Sequence, residues 1–165
     1  MAFDTYIKVD TVDGEATQAK HEKWIEIYSF SWGASNPTTV GSGSTGLSAG
    51  KVSVSSFNFM KKTETSSAKL FAGCCAGQHF PTATVEMSKA TGTSGEQQVF
   101  LKYLFTDVMV ESIQWSGSTG GDDTPTESVS TAFAKVAITY SKQDEATGAM
   151  SSAGDASWDL TKVSK

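Results

Sequence analysis

The chain has 165 residues, 38% of them hydrophobic and 19% charged, with a formal net charge of −5 at pH 7. Those totals exclude intrinsic disorder and describe a globular chain long enough for one domain with a real hydrophobic core. All thirteen basic residues are lysine; with no guanidinium fork and a negative net charge, no dedicated nucleic-acid or nucleotide site is expected.

The first predicted strand runs from Phe3 to Val9 and leads to a turn at Asp13-Gly14, where glycine offers a tight turn its positive φ. A second strand runs from Trp24 to Gly33. Its apolar parity changes partway, since Ile25 and Ile27 are odd while Phe30 and Trp32 are even. Either both faces meet protein or a bulge lies near Tyr28-Ser29. Pro37, lacking a donor for the ladder, ends the strand. A long loop over about residues 37–50 follows, and loops of such length are usually functional.

After that loop "KVSVSSFNFMK" resumes as a strand, with parity again switching, from Val52 and Val54 to Phe57 and Phe59. Two such strands predict a strongly bent sheet, as a closing barrel requires. One short helix is predicted at about residues 66–76, with Thr65 or Ser66 as cap and Gly77 as stop. Ala68, Leu70, Phe71, Cys74 and Cys75 fall at helical spacing along it. The adjacent cysteines read as reduced, packed thiols, because bridging neighbours is geometrically difficult.

Beyond Pro81 come "TATVEMSK" and "VFLKYLFTDVMVESIQW", the latter one bent strand or two with a break near Thr106-Asp107. In "SVSTAFAKVAITYS", Ala132, Ala134, Val136, Ile138 and Tyr140 share one face. A small, polar tail over about residues 143–157 reads as mobile, ahead of a last apolar run at "WDLTKV". The expected fold is mainly β: a compact β-barrel of bent antiparallel strands with one short α-helix on its side, forming a single domain over residues 1–165.

No catalytic, cofactor or metal site is expected. In "VGSGSTGLSAGKVSV" the glycine spacing imitates a dinucleotide fingerprint, but a strand follows where a helix should receive the pyrophosphate. The Walker spacing breaks at Thr45 and Val52. His21 and His79 stand in no zinc motif and form no recognisable triad, and the acidic turns lack calcium-loop spacing. No stretch approaches a bilayer-spanning length, and the N-terminus lacks a signal-peptide pattern, so synthesis and folding in the cytoplasm are expected. What remains is surface character. Ser29, Ser31 and Gly33 alternate with Phe30 and Trp32, which reads either as a solvent-facing strand side or as the wall of a wet cavity or channel.

The ordered set "MAFDTYIKVDTVDGEA", "HEKWIEIYSFSWGAS", "AGKVSVSSFNFMKKTETSSAKLFAGCCAGQHFPTATVEMSKA" and "YLFTDVMVESIQWSGSTGGDDTPTESVSTAFAKVAITYS" resembles the haemolysin-coregulated protein (Hcp) family, the tube proteins of bacterial type VI secretion systems. The resemblance covers Met1 to about Gln143. It implies hexameric rings stacked into a secreted hollow tube that carries effector proteins in its lumen, alongside spike and sheath components. It also implies no enzymatic activity, no nucleic-acid partner, no membrane insertion, and export from the cytoplasm without a cleaved signal peptide. On that resemblance Ser29 and Ser31 belong on the lumen wall, with Phe30 and Trp32 packed behind. Thr38, Thr39, Val40, Gly41, Ser42, Gly43, Ser44, Thr45, Gly46, Leu47, Ser48 and Ala49 form the ring or stacking loop. Three other readings stay open: a barrel enclosing a small apolar ligand, a phage-tail-type tube protein, and a hydrolase pairing a serine with His21 or His79.

Overall fold

The computed structural model describes residues 2–41, 46–91, 95–121 and 123–164. Its strands are β1 (Asp4–Val9), β2 (Ile25–Ile27), β3 (Ser29–Ser31), β4 (Ala34–Ser35), β5 (Thr38–Val40), β6 (Leu47–Ala49), β7 (Ser53–Val54), β8 (Phe57–Lys62), β9 (His79–Ala90), β10 (Gln97–Ser116), β11 (Thr126–Gln143) and β12 (Met150–Asp159). One helix, α1 (Ser66–Ala76), lies between β8 and β9. It is too short to cross a membrane, and no other described helix does so.

The strand predicted over Trp24 to Gly33 divides at Tyr28, and that division nearly closes the barrel. The antiparallel order is β2-β1-β9-β10-β11-β8-β3. β2 pairs with β1, and β3 pairs with β8 at the opposite end of the order. One continuous stretch of chain therefore serves both edges of the sheet. The Tyr28 amide donates to the Met60 carbonyl at 2.9 Å, where the partner changes. The parity shift between Ile27 and Phe30 marks this exchange.

Aromatic rings fill the interior. Phe57, Phe59 and Phe105 are at most 1% exposed. Phe57 lies 5.0 Å from Phe105 and 5.9 Å from Phe59, and Phe105 lies 4.5 Å from Phe133. Burying such a side chain contributes about 1.5–3 kcal/mol. The reading as a barrel around a small apolar ligand required a closed internal cavity; rings in mutual contact occupy that space instead.

β10 is one strand rather than two, bent at Asp107, which takes φ 54°. Neither neighbour pairs with Asp107, and Thr106 and Val108 resume the register on either side. β11 differs from its alanine pattern. Its inward side is Glu127, Val129, Thr131 and Phe133, all buried, and the parity then flips so that Val136 is the next buried residue. Opposite the bend of β10, a strict period of two cannot hold.

The predicted mobile tail contains a strand. β12 pairs with β11 from Lys135↔Asp159 to Gln143↔Met150. Its small residues are exposed and show no alternation, so the backbone ladder holds it rather than side-chain burial.

Two glycines are required by close approach. A Cβ on Gly14 would lie 2.3 Å from the Trp24 carbonyl oxygen. Gly14 does not have a positive φ; the left-handed residue of that turn is Thr11, at φ 67°. A Cβ on Gly50 would lie 2.9 Å from the Pro37 carbonyl oxygen, to which the Gly50 amide donates at 2.7 Å.

Candidate interaction surfaces

The outward side of β3, β8, β11 and β10 forms one patch. Pairing aligns Ser31, Asn58, Ser130 and Ser112 in one row and Ser29, Met60, Ser128 and Gln114 in the next. Four strands at about 4.8 Å spacing make the patch about 14 Å wide. Hydroxyl and amide groups make up all of it except Met60, which is 41% exposed. Among the described residues charge stands at its margins. Glu111 accepts from the Ser56 hydroxyl and, at 3.5 Å, from the Ser130 hydroxyl on one side, and Lys62 stands 5.8 Å from the Tyr28 ring on the other.

The backing of this patch follows from alternation along each strand. Phe57, Phe59 and Lys61 point inward from β8 while Asn58, Met60 and Lys62 point out. Phe30 stacks 5.8 Å from Phe57, and Trp32 meets Tyr103, Phe105 and Phe133 edge-on at 5.1–6.1 Å. Ser29 and Ser31 are exposed, and the two aromatics lie behind them. Asn58, Ser128 and Gln114 complete the patch. Their signal was the alternation in "FNFM" and "ESVS", which marks two faces but not which one is used.

The residues predicted as a structureless loop form a β-hairpin arm. β5 pairs with β6 through Thr38↔Ala49, Thr39↔Ser48 and Val40↔Leu47. The Thr39 and Ser48 hydroxyls lie 2.7 Å apart, and the Gly41 amide donates to the Gly46 carbonyl at 3.0 Å. Ser42, Gly43, Ser44 and Thr45 lie outside the described residues. All six strand residues of the hairpin are exposed. Val40 and Leu47, opposite one another on one side, are 81% and 71% exposed. At the base, Trp32, Ala34, Val54, Val136, Ile138 and Trp158 border an apolar groove of about 300 Å³.

A second apolar surface surrounds α1, anchored by a buried ion pair. Lys61 Nζ donates to Glu127 Oε2 at 2.5 Å and to Ser67 Oγ at 2.9 Å, and the Ser67 hydroxyl donates to the same carboxylate at 2.7 Å. Both charged side chains are completely buried. Leu70 is buried as well, and Gly77, at φ 63°, ends the helix as expected. The inward side of the helix is Ser66, Ser67, Leu70 and Gly73; Phe71 and Cys75 face outward, against the spacing-based expectation. Phe71, 49% exposed, meets the ring of Trp115, 44% exposed, at 5.7 Å. Trp115 borders a concavity of about 760 Å³ formed by the turn between β10 and β11, lined also by Thr119, Thr124 and Pro125.

The histidines have other partners than the hydrolase reading needs. His21 is fully buried, stacked 4.5 Å from Tyr6, with Nδ1 at 2.6 Å from Gln18 and Nε2 at 2.8 Å from Glu86. That hydrogen bond holds the Glu86 carboxyl below its ordinary range, against the opposing effect of burial. His79 bonds to Asp107 at 2.7 Å on the surface. Neither has a serine or cysteine among these partners. Among the described residues, no three His, Cys, Asp or Glu side chains converge as metal ligands would.

Residues 6–140 match the family described as "Type VI secretion system effector, Hcp". The chain is 37% identical over 144 residues to Protein hcp1 of Pseudomonas aeruginosa, covering 87% of this chain and 86% of that one. Among solved structures, a type six secretion system protein superposes with a TM-score of 0.90 at 42% identity, covering 98% of each chain. Hcp1 from Salmonella typhimurium superposes at 0.78 with 32% identity over 99% of each.

Proposed function

This chain belongs to the Hcp family of type VI secretion proteins, and from that premise we propose that it is the subunit of a hollow secretion tube. Six copies form a ring, rings stack end to end, and the lumen carries effector proteins. The observation that carries this reading is the neutral patch on β3, β8, β11 and β10. A channel wall that must hold a protein and then release it needs many short hydrogen-bonding groups and few fixed charges. The two rows through Ser29 and Ser31 have that composition, on a rigid sheet backed by packed aromatics. In this reading Ser29 and Ser31 face the lumen, and Met60 supplies its one large apolar contact.

The arm from Thr38 to Ala49 then serves contact between copies. A ring and a stack both require heterologous contacts, in which two different patches of the chain meet. The exposed Val40 and Leu47 have the apolar character such a contact uses. Residues 1–165 act as one structural unit, without catalysis of its own, made in the cytoplasm and exported with spike and sheath components.

Native mass spectrometry tests the assembly. The expected species has six times the 17.4 kDa mass of one chain, and its multiples appear as concentration rises. A stable monomer at every concentration contradicts the proposal.

A further inference from the structure

We infer that Glu111 is the specificity-determining charge of the lumen, a carboxylate that pairs with lysine or arginine side chains on the surface of the carried protein. This rests on the tube reading and adds to it a chemical class of cargo, a protein with a basic face.

A bulge sets the position of this carboxylate. Along β10, Val108 and Val110 are buried, and beyond them Ile113 is the next residue packed against the core. Two even positions and one odd position cannot share a face on a strict period of two. The register against β11 shifts between Val110 and Ser112, so Glu111 is the extra residue and has no partner across the ladder. An inserted residue of this kind re-aims a side chain. Here it puts Glu111 outside with Ser112, exposed, where Oε1 accepts from the hydroxyls of Ser56 and Ser130. Ser130 lies in the row of Ser112, Asn58 and Ser31. Two strand spacings, about 10 Å, separate it from Ser31, so a protein that meets Ser31 is within reach of Glu111.

The carboxylate is free to take a partner from another chain. Both hydroxyl contacts fall on Oε1, and Oε2 has no hydrogen-bond partner among the described residues. Glu86, Glu96 and Glu127 each have a cationic neighbour in ion-pair contact, whereas no described lysine makes such a contact with Glu111. Lys62, the other charge beside the patch, lies four residues along β8 from Asn58, about 13 Å away. In a ring of six copies, six of these carboxylates stand at one level of the channel. A cleft lined by one sign of charge concentrates the field on whatever enters it. The neutral rows on either side make hydrogen bonds without choosing a charge; Glu111 chooses a basic one.

The test measures binding of a fluorescein-labelled oligolysine peptide, and of its oligoglutamate counterpart, to assembled rings by fluorescence anisotropy at low salt. Wild-type rings should bind oligolysine and not oligoglutamate. Glu111→Gln keeps an oxygen for the two serines and removes the charge. It should keep the ring mass and weaken oligolysine binding at least about tenfold, because several ion pairs are lost together. Glu22→Gln removes the same charge from the exposed segment between β1 and β2, and should bind as wild type does. Carbodiimide, which condenses a carboxylate with a bound amine, should put the cross-link on Glu111 when the digested protein is read by mass spectrometry. Wild-type rings that ignore oligolysine, undiminished binding to Glu111→Gln, a cross-link found only elsewhere, or equal weakening by Glu22→Gln each overturn the assignment and leave the tube reading standing. Rings that fall apart in Glu111→Gln also overturn it, since the carboxylate would then serve a contact between subunits. Wild-type protein that forms no rings overturns both.

Discussion

Removing one partner of the Lys61–Glu127 pair should be among the most damaging single changes in the barrel. Both side chains are wholly buried and 2.5 Å apart. Lys61 also donates to Ser67 and to the Lys62 carbonyl, while Glu127 Oε1 has no hydrogen-bond partner among the described residues. Lys61→Met leaves the carboxylate buried with only the Ser67 hydroxyl, and Glu127→Leu leaves the ammonium without its counter-charge. Breaking such a pair from one side typically destabilises by about 3–5 kcal/mol. For a chain of this length that corresponds to a fall in Tm of about 6–20 °C. The double variant Lys61→Met, Glu127→Leu removes both charges from an apolar site, where replacement of a buried pair is often neutral or stabilising by about 1–4 kcal/mol. It should therefore recover most of the loss. Thermal unfolding of the four proteins, at one protein concentration because assembly raises apparent stability, gives the coupling directly. Single variants that lose less than about 1 kcal/mol, or a double variant as unstable as the worse single, would refute the argument that desolvated charge dominates here.

Other consequences can be checked separately. Glu86 has a carboxyl held below its ordinary value of 4.5 by His21; its contribution to stability is complete above that value and is lost as pH falls through the lowered one. Urea midpoints measured from pH 6 downward should show this fall in wild type, and Glu86→Gln should flatten it. Gly50→Val places a Cβ 2.9 Å from the Pro37 carbonyl oxygen. It should leave the barrel within about 1 kcal/mol of wild type in urea unfolding while weakening stacking, and a severe loss of barrel stability would show that the arm is part of the core. Ser31→Trp, on the exposed side of β3, should preserve ring mass and leave Tm within about 2 °C, since surface changes rarely exceed about 0.5 kcal/mol. Rings that fall apart on this change would place Ser31 at a subunit contact instead of the lumen.

Much of the barrel was legible because parity shifts record changes of partner. The shifts from Ile27 to Phe30 and from Val54 to Phe57 suggest a bulge or two protein-facing sides, and the structure has a break between strands at each. The sequence did not reveal that β2 and β3 serve opposite edges of one sheet, because pairing joins residues distant in the chain. β12 was illegible for another reason. Ser151 to Ala156 are exposed on both faces, so no hydrophobic alternation arises, and backbone hydrogen bonds hold a strand without leaving that trace. In β11 the face shared by Ala132 and Ala134 is not the buried one, and Val136 reaches the buried side only after the parity flips. Glu127 faces the core there because its counter-charge, Lys61, lies 66 residues earlier. Within the candidate surfaces, Ser29 and Ser31 stood out by alternation with Phe30 and Trp32. Phe71 falls at helical spacing with Leu70, and only the packing of α1 on the barrel shows it to be outside.

A three-dimensional reconstruction by electron cryomicroscopy of the assembled protein tests the central proposal most directly. It should show six subunits around an open channel, with Ser29, Ser31, Asn58 and Ser128 on the channel wall. An assembly in which those residues face the outside, or a closed particle with no channel, would contradict it.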